Sequence, residues 1–380
     1  MVDIGFTEAQ QMFQREMQNF TQNELAPGAK ERAKLDFITP EVIRKVADMG
    51  LLKLTTPTRY GGKAADSVTI GIAFEEVAKV DVSSLLLMLA HVTGPIMMDY
   101  GTEEVRQEWL PLMATGNKLC CFASTEPHCG SDAAAIKTRA VRDGESYIIT
   151  GEKTSVGVGM QADVMFLTTK TDLEAGARGV TCFLMPLDLT GITRSPLAYM
   201  GCIPWGTASI IMDEVRIPAK YRLGEEGEGF YKVMSGFDLT RILAALMAIG
   251  LAESSFDEAV AYAKQRTAFG QPLAKFEGIS FKLAEDATMI EAARLLCYQA
   301  LQLRDKGIPH RKETAMAKWF SASAAVHVVH DALLTFGQVG YSDKYPIEQR
   351  LRDVIGLEMG DGTAEIMKTI IAREVFGKGF

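Results

Sequence analysis

The residues best equipped for chemistry stand near the end of this 380-residue sequence, in Met359 to Lys368, MGDGTAEIMK. Asp361 lies between Gly360 and Gly362, so neither neighbour shields its carboxylate or blocks an approaching molecule. Thr363 is placed to N-cap a helix over AEIMKTIIAREVF, where Ile366, Ile370, Ile371 and Val375 recur at helical spacing. A helix N-terminus beside a carboxylate favours its ionised form and offers free N–H groups to an anion or a carbonyl. The same residues also describe a plain Asp-Gly turn ahead of a terminal helix, and both readings stand at this point.

Three other stretches carry polar groups in useful patterns. FASTEPHCGSD (122–132) presents the hydroxyls of Ser124, Thr125 and Ser131 with a Gly-Ser turn. Hydroxyls and loop N–H groups of this kind bond the edge of a planar heterocycle, and they also occur in any β-turn. In RTAFGQPL (266–273), Arg266 is either a bidentate phosphate ligand or a solvated helix end. In FDLTR (237–241), Asp238 and Arg241 are either an exposed i,i+3 pair or ligand contacts. No GxGxxG follows a strand, since Gly157 and Gly159 in VGVGMQAD do not complete one, and GxxxxGK[ST], GxSxG and HExxH are absent. His327 and His330 lie three apart on an apolar helix and are expected to be packing or surface residues, so no metal site is expected.

The elements that must position these groups fall into three blocks. Residues 1–118 carry helical patterns. They begin with a Thr7/Gln10 capping box and a helix stopped by Pro27, and continue through the Thr39-Pro40 cap to apolar runs at 67–80 and 82–100. Residues 119–226 turn to β-rich runs with a hairpin signal at Asp143-Gly144, which predicts a small antiparallel barrel or sandwich. Residues 227–380 return to helices, predicted over 229–264, 276–306, 311–335 and 364–376, as a bundle. The fold class is therefore mostly α with a central β domain. A net charge of -8 without a basic stripe argues against nucleic acid. Runs such as LLLMLA (85–90) and ILAALMAIGLA (242–252) fall short of a bilayer span, and six unpatterned cysteines fit reduced thiols in the cytoplasm.

Taken together and in order, these stretches resemble the acyl-CoA dehydrogenase family over essentially the whole chain. The motifs are TEPxxGSD, DEVRIP closing the β block, RxxFG, and YPIEQRLRD ahead of the Asp361 turn. The resemblance implies an N-terminal helical domain, a β barrel and a C-terminal four-helix bundle, assembled as a homotetramer. It also implies an FAD enzyme that dehydrogenates an acyl-CoA between Cα and Cβ and passes electrons to electron-transfer flavoprotein. By position, Phe122, Ser124 and Thr125 would line the flavin, and Ser155 and Gly157 would lie beside it. Arg266 and Phe269 would reach FAD from a neighbouring subunit, Gly337 and Gln338 would lie near its pyrophosphate–adenine end, and Thr363 and Glu365 would also touch it. Ser131, Asp238 and Arg241 match positions that hold CoA. Asp361 falls where most members carry the catalytic base, with the N–H near Gly362 and a ribityl hydroxyl binding the thioester carbonyl.

The sequence departs from the family pattern at telling places. Asp361 stands for the usual Glu, a side chain shorter by about 1.5 Å, and Gly360 stands where many members have an aromatic. A shorter base with more room beside it suits a bulky substrate, and the GDGT turn resembles that of cyclohexanecarboxyl-CoA-type dehydrogenases; an ordinary short linear acyl chain remains the alternative. Ser155 and Gly157 stand where Trp and Thr are usual, which also leaves open a flavin-scaffold lyase of the desulfinase type. His91 lies where the acyl-lining helix passes the substrate, and the 83–90 run holds no Arg for a distal carboxylate.

Overall fold

The computed structural model describes residues 5–377, without the side chains of residues 86–90 and 92. Six helices come first: α1 (Glu8–Phe20), α2 (Ala29–Arg32), α3 (Pro40–Asp48), α4 (Ser67–Ala78), α5 (Leu87–Tyr100) and α6 (Glu103–Ala114). The capping box forms as predicted, with Thr7 Oγ1 accepting from Gln10 N at 3.2 Å and Gln10 Oε1 from Thr7 N at 3.0 Å. Helical geometry widens into a π turn at Thr21–Leu25, Ala26 keeps helical angles at φ -60° and ψ -40°, and the run ends at Pro27, which has no N–H to continue the ladder.

Eight strands follow: β1 (Cys120–Ala123), β2 (Arg139–Asp143), β3 (Ser146–Val156), β4 (Val164–Lys170), β5 (Val180–Pro186), β6 (Ile192–Pro196), β7 (Ala208–Pro218) and β8 (Arg222–Leu223). They form one sheet in the order β6-β7-β3-β2-β4-β5-β8, with β1 added against β4. The β2–β3 hairpin closes at Gly144, whose φ of 60° only glycine adopts without strain. The antiparallel expectation holds for most pairs, but β1 runs parallel to β4 and β2 meets β4 in parallel at Arg139 and Lys170. Alternation tells which face a side chain takes and says nothing of strand direction.

The chain then forms α7 (Gly229–Gln265), a hairpin of β9 (Thr267–Ala268) and β10 (Gln271–Pro272), α8 (Glu277–Asp305), α9 (Arg311–Phe336), α10 (Ile347–Met359) and α11 (Ala364–Phe376). The long α7, α8 and α9 pack together, and the shorter α10 and α11 fill the fourth position of the bundle against α9. Helix α10 was not predicted. Its stripe of Ile347, Leu351, Val354 and Leu357 is short and interrupted by Gly356, which weakens a helix by about 1 kcal/mol. By length and composition alone α7 could cross a membrane, but 72% of its most apolar window is buried inside the protein, which makes it a core helix. One core joins the N-terminal helices to the bundle, and a second fills the β domain and its contact with α5 and α6.

One polar group in the bundle sets a pH dependence. Asp286 is 1% exposed, and neither of its carboxylate oxygens has a partner among the described residues. Burial first and the Asp331 charge second push its carboxyl up to about 7, against Lys282, with Glu285 adding to the rise; His327 also faces Asp331. A folded-state value above the unfolded 3.8 means the folded protein holds an extra proton, so this contribution to stability is lost as pH rises through about 7. Asp286→Asn should therefore stabilise the protein by about 1–3 kcal/mol at pH 8 and by roughly a third of that at pH 5, read from thermal melts at both values.

Candidate active site

The stretch from Gly360 to Thr363 turns the chain from α10 into α11 within four residues, which forces unusual backbone angles. Asp361 has φ 57° and Gly362 φ 112°, and a Cβ on Gly362 would come within 2.7 Å of Met367 Cε. Aspartate tolerates the left-handed region better than most side chains, whereas position 362 needs glycine. Thr363 then N-caps α11, its Oγ1 accepting from Ile366 N at 3.5 Å. Exposed Glu365 sits in the first turn of α11, where a backbone N–H holds its carboxyl below the usual range.

Two buried cations flank this turn. Arg241, on α7, donates from Nε to the Asp361 carbonyl at 3.0 Å, and its Nη1 lies 3.6 Å from Asp238 Oδ1. The Asp238–Arg241 pair is thus buried on the arginine side, contrary to the exposed-pair reading. Lys318, on α9, donates to the carbonyls of Leu357 at 2.7 Å and Gly362 at 3.3 Å. The Asp361 carboxyl is half-buried. Its pKa is raised above 3.8 by burial, with Lys318 and Arg241 pulling it partly back.

Aromatic contacts tie this corner to the β domain. The Arg241 guanidinium lies over the Phe237 ring at 5.4 Å, Phe237 meets Phe122 edge-on at 5.6 Å, and Phe122 stacks on Phe166 at 5.3 Å. The structure therefore brings Phe122, Asp238, Arg241, Asp361 and Gly362 together. The loop after Phe122 is fastened from below: Ser124 Oγ accepts from Thr168 Oγ1 at 3.1 Å, and Thr154 N donates to Thr125 O at 3.0 Å. Lys153 Nζ donates to Ser124 O at 3.1 Å and to Glu126 Oε1 at 2.7 Å. Glu126 also accepts from Lys137 N at 2.7 Å and Thr138 N at 3.0 Å. Glu126, Lys153 and Lys318 were not singled out in the sequence. The available signal was a lysine standing on a buried face in each case, at the inward register of β3 and on the alanine stripe of α9.

The other expected positions are scattered within the chain. Ser131 is exposed. Ser155 has φ 57° and accepts from Tyr199 Oη at 2.7 Å. Gly157 faces Trp205, whose Cε3 would lie 3.9 Å from an added Cβ. Gly337 and Gln338 are exposed past the end of α9, about 28 Å along that helix from Lys318. Arg266 and Phe269, the latter 97% exposed, ride on the β9–β10 hairpin, about 37 Å along α7 from Arg241, so one chain does not join them to the Asp361 corner. His91 is buried, with Nδ1 3.0 Å from Thr55 Oγ1 and its ring against Phe74, and burial drives its pKa down to about 4, which leaves it neutral. The side chains of residues 86–90, part of the run expected to line the acyl group, lie outside the described residues.

Family models for the N-terminal, middle and C-terminal domains of acyl-CoA dehydrogenase match residues 7–117, 121–215 and 227–376. The chain belongs to the acyl-CoA dehydrogenase family. It is 36% identical to an acyl-CoA dehydrogenase of Bacillus subtilis over 98% of this chain and 99% of that one. It is also 36% identical to a 3-(aryl)acrylate reductase of Clostridium sporogenes over 97% of this chain and 98% of that one. Among solved structures, butyryl-CoA dehydrogenase of Megasphaera elsdenii superposes with a TM-score of 0.94 at 32% identity, covering 99% of this chain and 100% of that one. Members of this family are oxidoreductases acting on the CH–CH bond of acyl-CoA, and they are FAD flavoproteins. The β domain fits such a group: Trp205 Nε1 is buried without a partner among the described residues, on a side chain that faces Gly157, two residues from Ser155.

Proposed function

We propose that this chain dehydrogenates an acyl-CoA thioester between Cα and Cβ, with Asp361 as the base that takes the α-proton. The observation that carries this reading is a half-buried aspartate in a glycine-flanked turn, set between two buried cations and linked through Phe237 to the loop of Ser124 and Thr125. A thioester α-proton is too weakly acidic for a free carboxylate, so developing enolate charge must be stabilised. The first N–H groups of α11 have no acceptor within the helix and follow Asp361 directly in the chain, which suits them to the thioester carbonyl. An acyl group closing over Asp361 dries it further, raising its basicity towards operating pH. Bound FAD supplies the acceptor for the β-hydride, and its electrons leave to an electron-transfer flavoprotein. Phe122, Ser124, Thr125, Ser155, Gly157 and Thr363 would hold the flavin end. The exposed Arg266 and Phe269 would serve a neighbouring copy's FAD in a homotetramer.

The room beside the base favours a bulky acyl group of the cyclohexane-1-carboxyl type. A Cβ built on Gly360 meets only the Gly356 carbonyl, at 3.7 Å, and one on Gly356 meets nothing within 4 Å. The relative named for aryl-acrylate reduction supports a wide site, while the butyryl-CoA dehydrogenase likeness supports a short linear chain as the second reading. Anaerobic bleaching of the flavin with a panel of linear, branched, alicyclic and aryl-substituted acyl-CoAs decides between them. The alicyclic thioester should reduce the flavin fastest, and Gly360→Tyr should slow it at least about tenfold while sparing butyryl-CoA. Fastest bleaching by butyryl-CoA in the parent would favour the linear reading, and product without net flavin reduction would indicate a lyase.

A further inference from the structure

Lys318 is 1% exposed and forms no ion pair with any carboxylate among the described residues, an unusual state for a lysine. Its ammonium instead donates to two backbone carbonyls, Leu357 in the last turn of α10 and Gly362 directly after Asp361. Arg241, from another helix, holds the carbonyl of Asp361 itself. The carbonyl end of α10, its negative pole, therefore lies next to the acid side chain, and a cation placed there offsets both. We propose that Lys318 is a positioning residue for the α-proton base: it pins the Leu357–Gly362 segment to α9 and supplies positive charge that keeps Asp361 ionised once the acyl group excludes water.

This assignment rests on Asp361 being the base. The charged groups facing Lys318 are Asp361 on the turn, Arg241 on α7 with its partner Asp238, and Glu358 on α10. Burial lowers the lysine most and, helped by Arg241, outweighs the upward pull of Asp361 and Glu358, holding Lys318 at about 8. The clamp is therefore charged at neutral pH and loses its charge on the alkaline side.

Two substitutions separate the two duties. Lys318→Gln keeps N–H donors without charge, and Lys318→Met removes both. The measurements are the limiting rate of anaerobic flavin reduction across about pH 6 to 9 and the Kd of an unreactive CoA thioether, on flavin-loaded protein. In both variants the acidic limb of the rate profile should move up by about one unit, because a cation that favours the ionised base has gone. The alkaline decline of the parent near 8 should vanish in both. The limiting rate should fall roughly ten- to a hundredfold in Lys318→Met and less in Lys318→Gln, with the thioether Kd unchanged within about threefold. Parental limbs in Lys318→Gln would overturn the charge role, and a parental limiting rate in folded, flavin-loaded Lys318→Met would overturn the positioning role. Asp361→Asn run alongside keeps the two readings apart: parental bleaching there would remove the base itself, whereas an inert Asp361→Asn beside unaltered Lys318 variants removes only the clamp.

Discussion

Asp361→Asn should bind its flavin and a CoA thioether as the parent does, while its flavin should be reduced by acyl-CoA about 10²–10⁴-fold more slowly. The amide keeps the volume of the side chain and leaves the Asp361 carbonyl free to accept from Arg241 Nε, so the turn has no reason to unfold. What disappears is the lone pair that accepts the proton. The parent should also lose activity as pH falls, because burial lifts the Asp361 carboxyl above 3.8 while Lys318 and Arg241 only partly restore it. The protonated form, which grows below that raised value, cannot act as a base. Asp361→Glu provides the complementary result. Its carboxylate reaches about 1.5 Å further, so it should retain bleaching with linear acyl-CoAs and lose it with alicyclic ones that already crowd the base. Parental bleaching by Asp361→Asn would place the proton acceptor elsewhere.

The glycines around Asp361 drew attention to that corner, but a plain Asp-Gly turn has the same pattern, and it was the order of the other motifs along the chain that set a base there by resemblance. The helix over Ala364–Phe376 was predicted to the residue, because the Thr363 cap and the isoleucine stripe agree. What could not be read was how the corner is held. Arg241 lies 120 positions from the group it bonds, Lys318 lies 39 and 44 from its two, and Glu126 and Lys153 lie 27 apart. Their partners are backbone carbonyls or each other, and neither leaves a local pattern. The register of β3 marks Lys153 as inward, but only tertiary packing reveals that an acid waits there. Arg266 and Phe269 are the opposite case: their motif was plain, yet they stand on an exposed hairpin remote from the Asp361 corner.

Glu126→Gln should cost about 3–5 kcal/mol of stability and release flavin with it. Lys153 is 0% exposed and Glu126 4%, and their 2.7 Å contact lies under the loop that carries Ser124 and Thr125. Burial pushes the Glu126 carboxyl up, but the Lys153 charge and hydrogen bond and the Lys137 and Thr138 donors outweigh it and hold it below 4.5. On the lysine side burial wins over Glu126 and holds Lys153 below 10.5. The carboxylate tracks its direct contacts, so the pair is charged and neither ion survives alone at this depth. Glutamine removes the charge and turns an N–H₂ towards donors that need an acceptor. The sign of the pH effect follows: with a folded-state value below the unfolded one, the parent has this stability above about pH 4.5 and loses it as pH falls through the depressed value. Denaturant midpoints of the variant should therefore be less acid-sensitive than those of the parent. Adding Lys153→Met to Glu126→Gln should recover roughly half of the lost stability, because the stranded ammonium is gone. It should not recover flavin affinity, since the bond from Lys153 Nζ to the Ser124 carbonyl goes with it. Recovery of both in the double variant would mean that the loop holds its shape without this lysine.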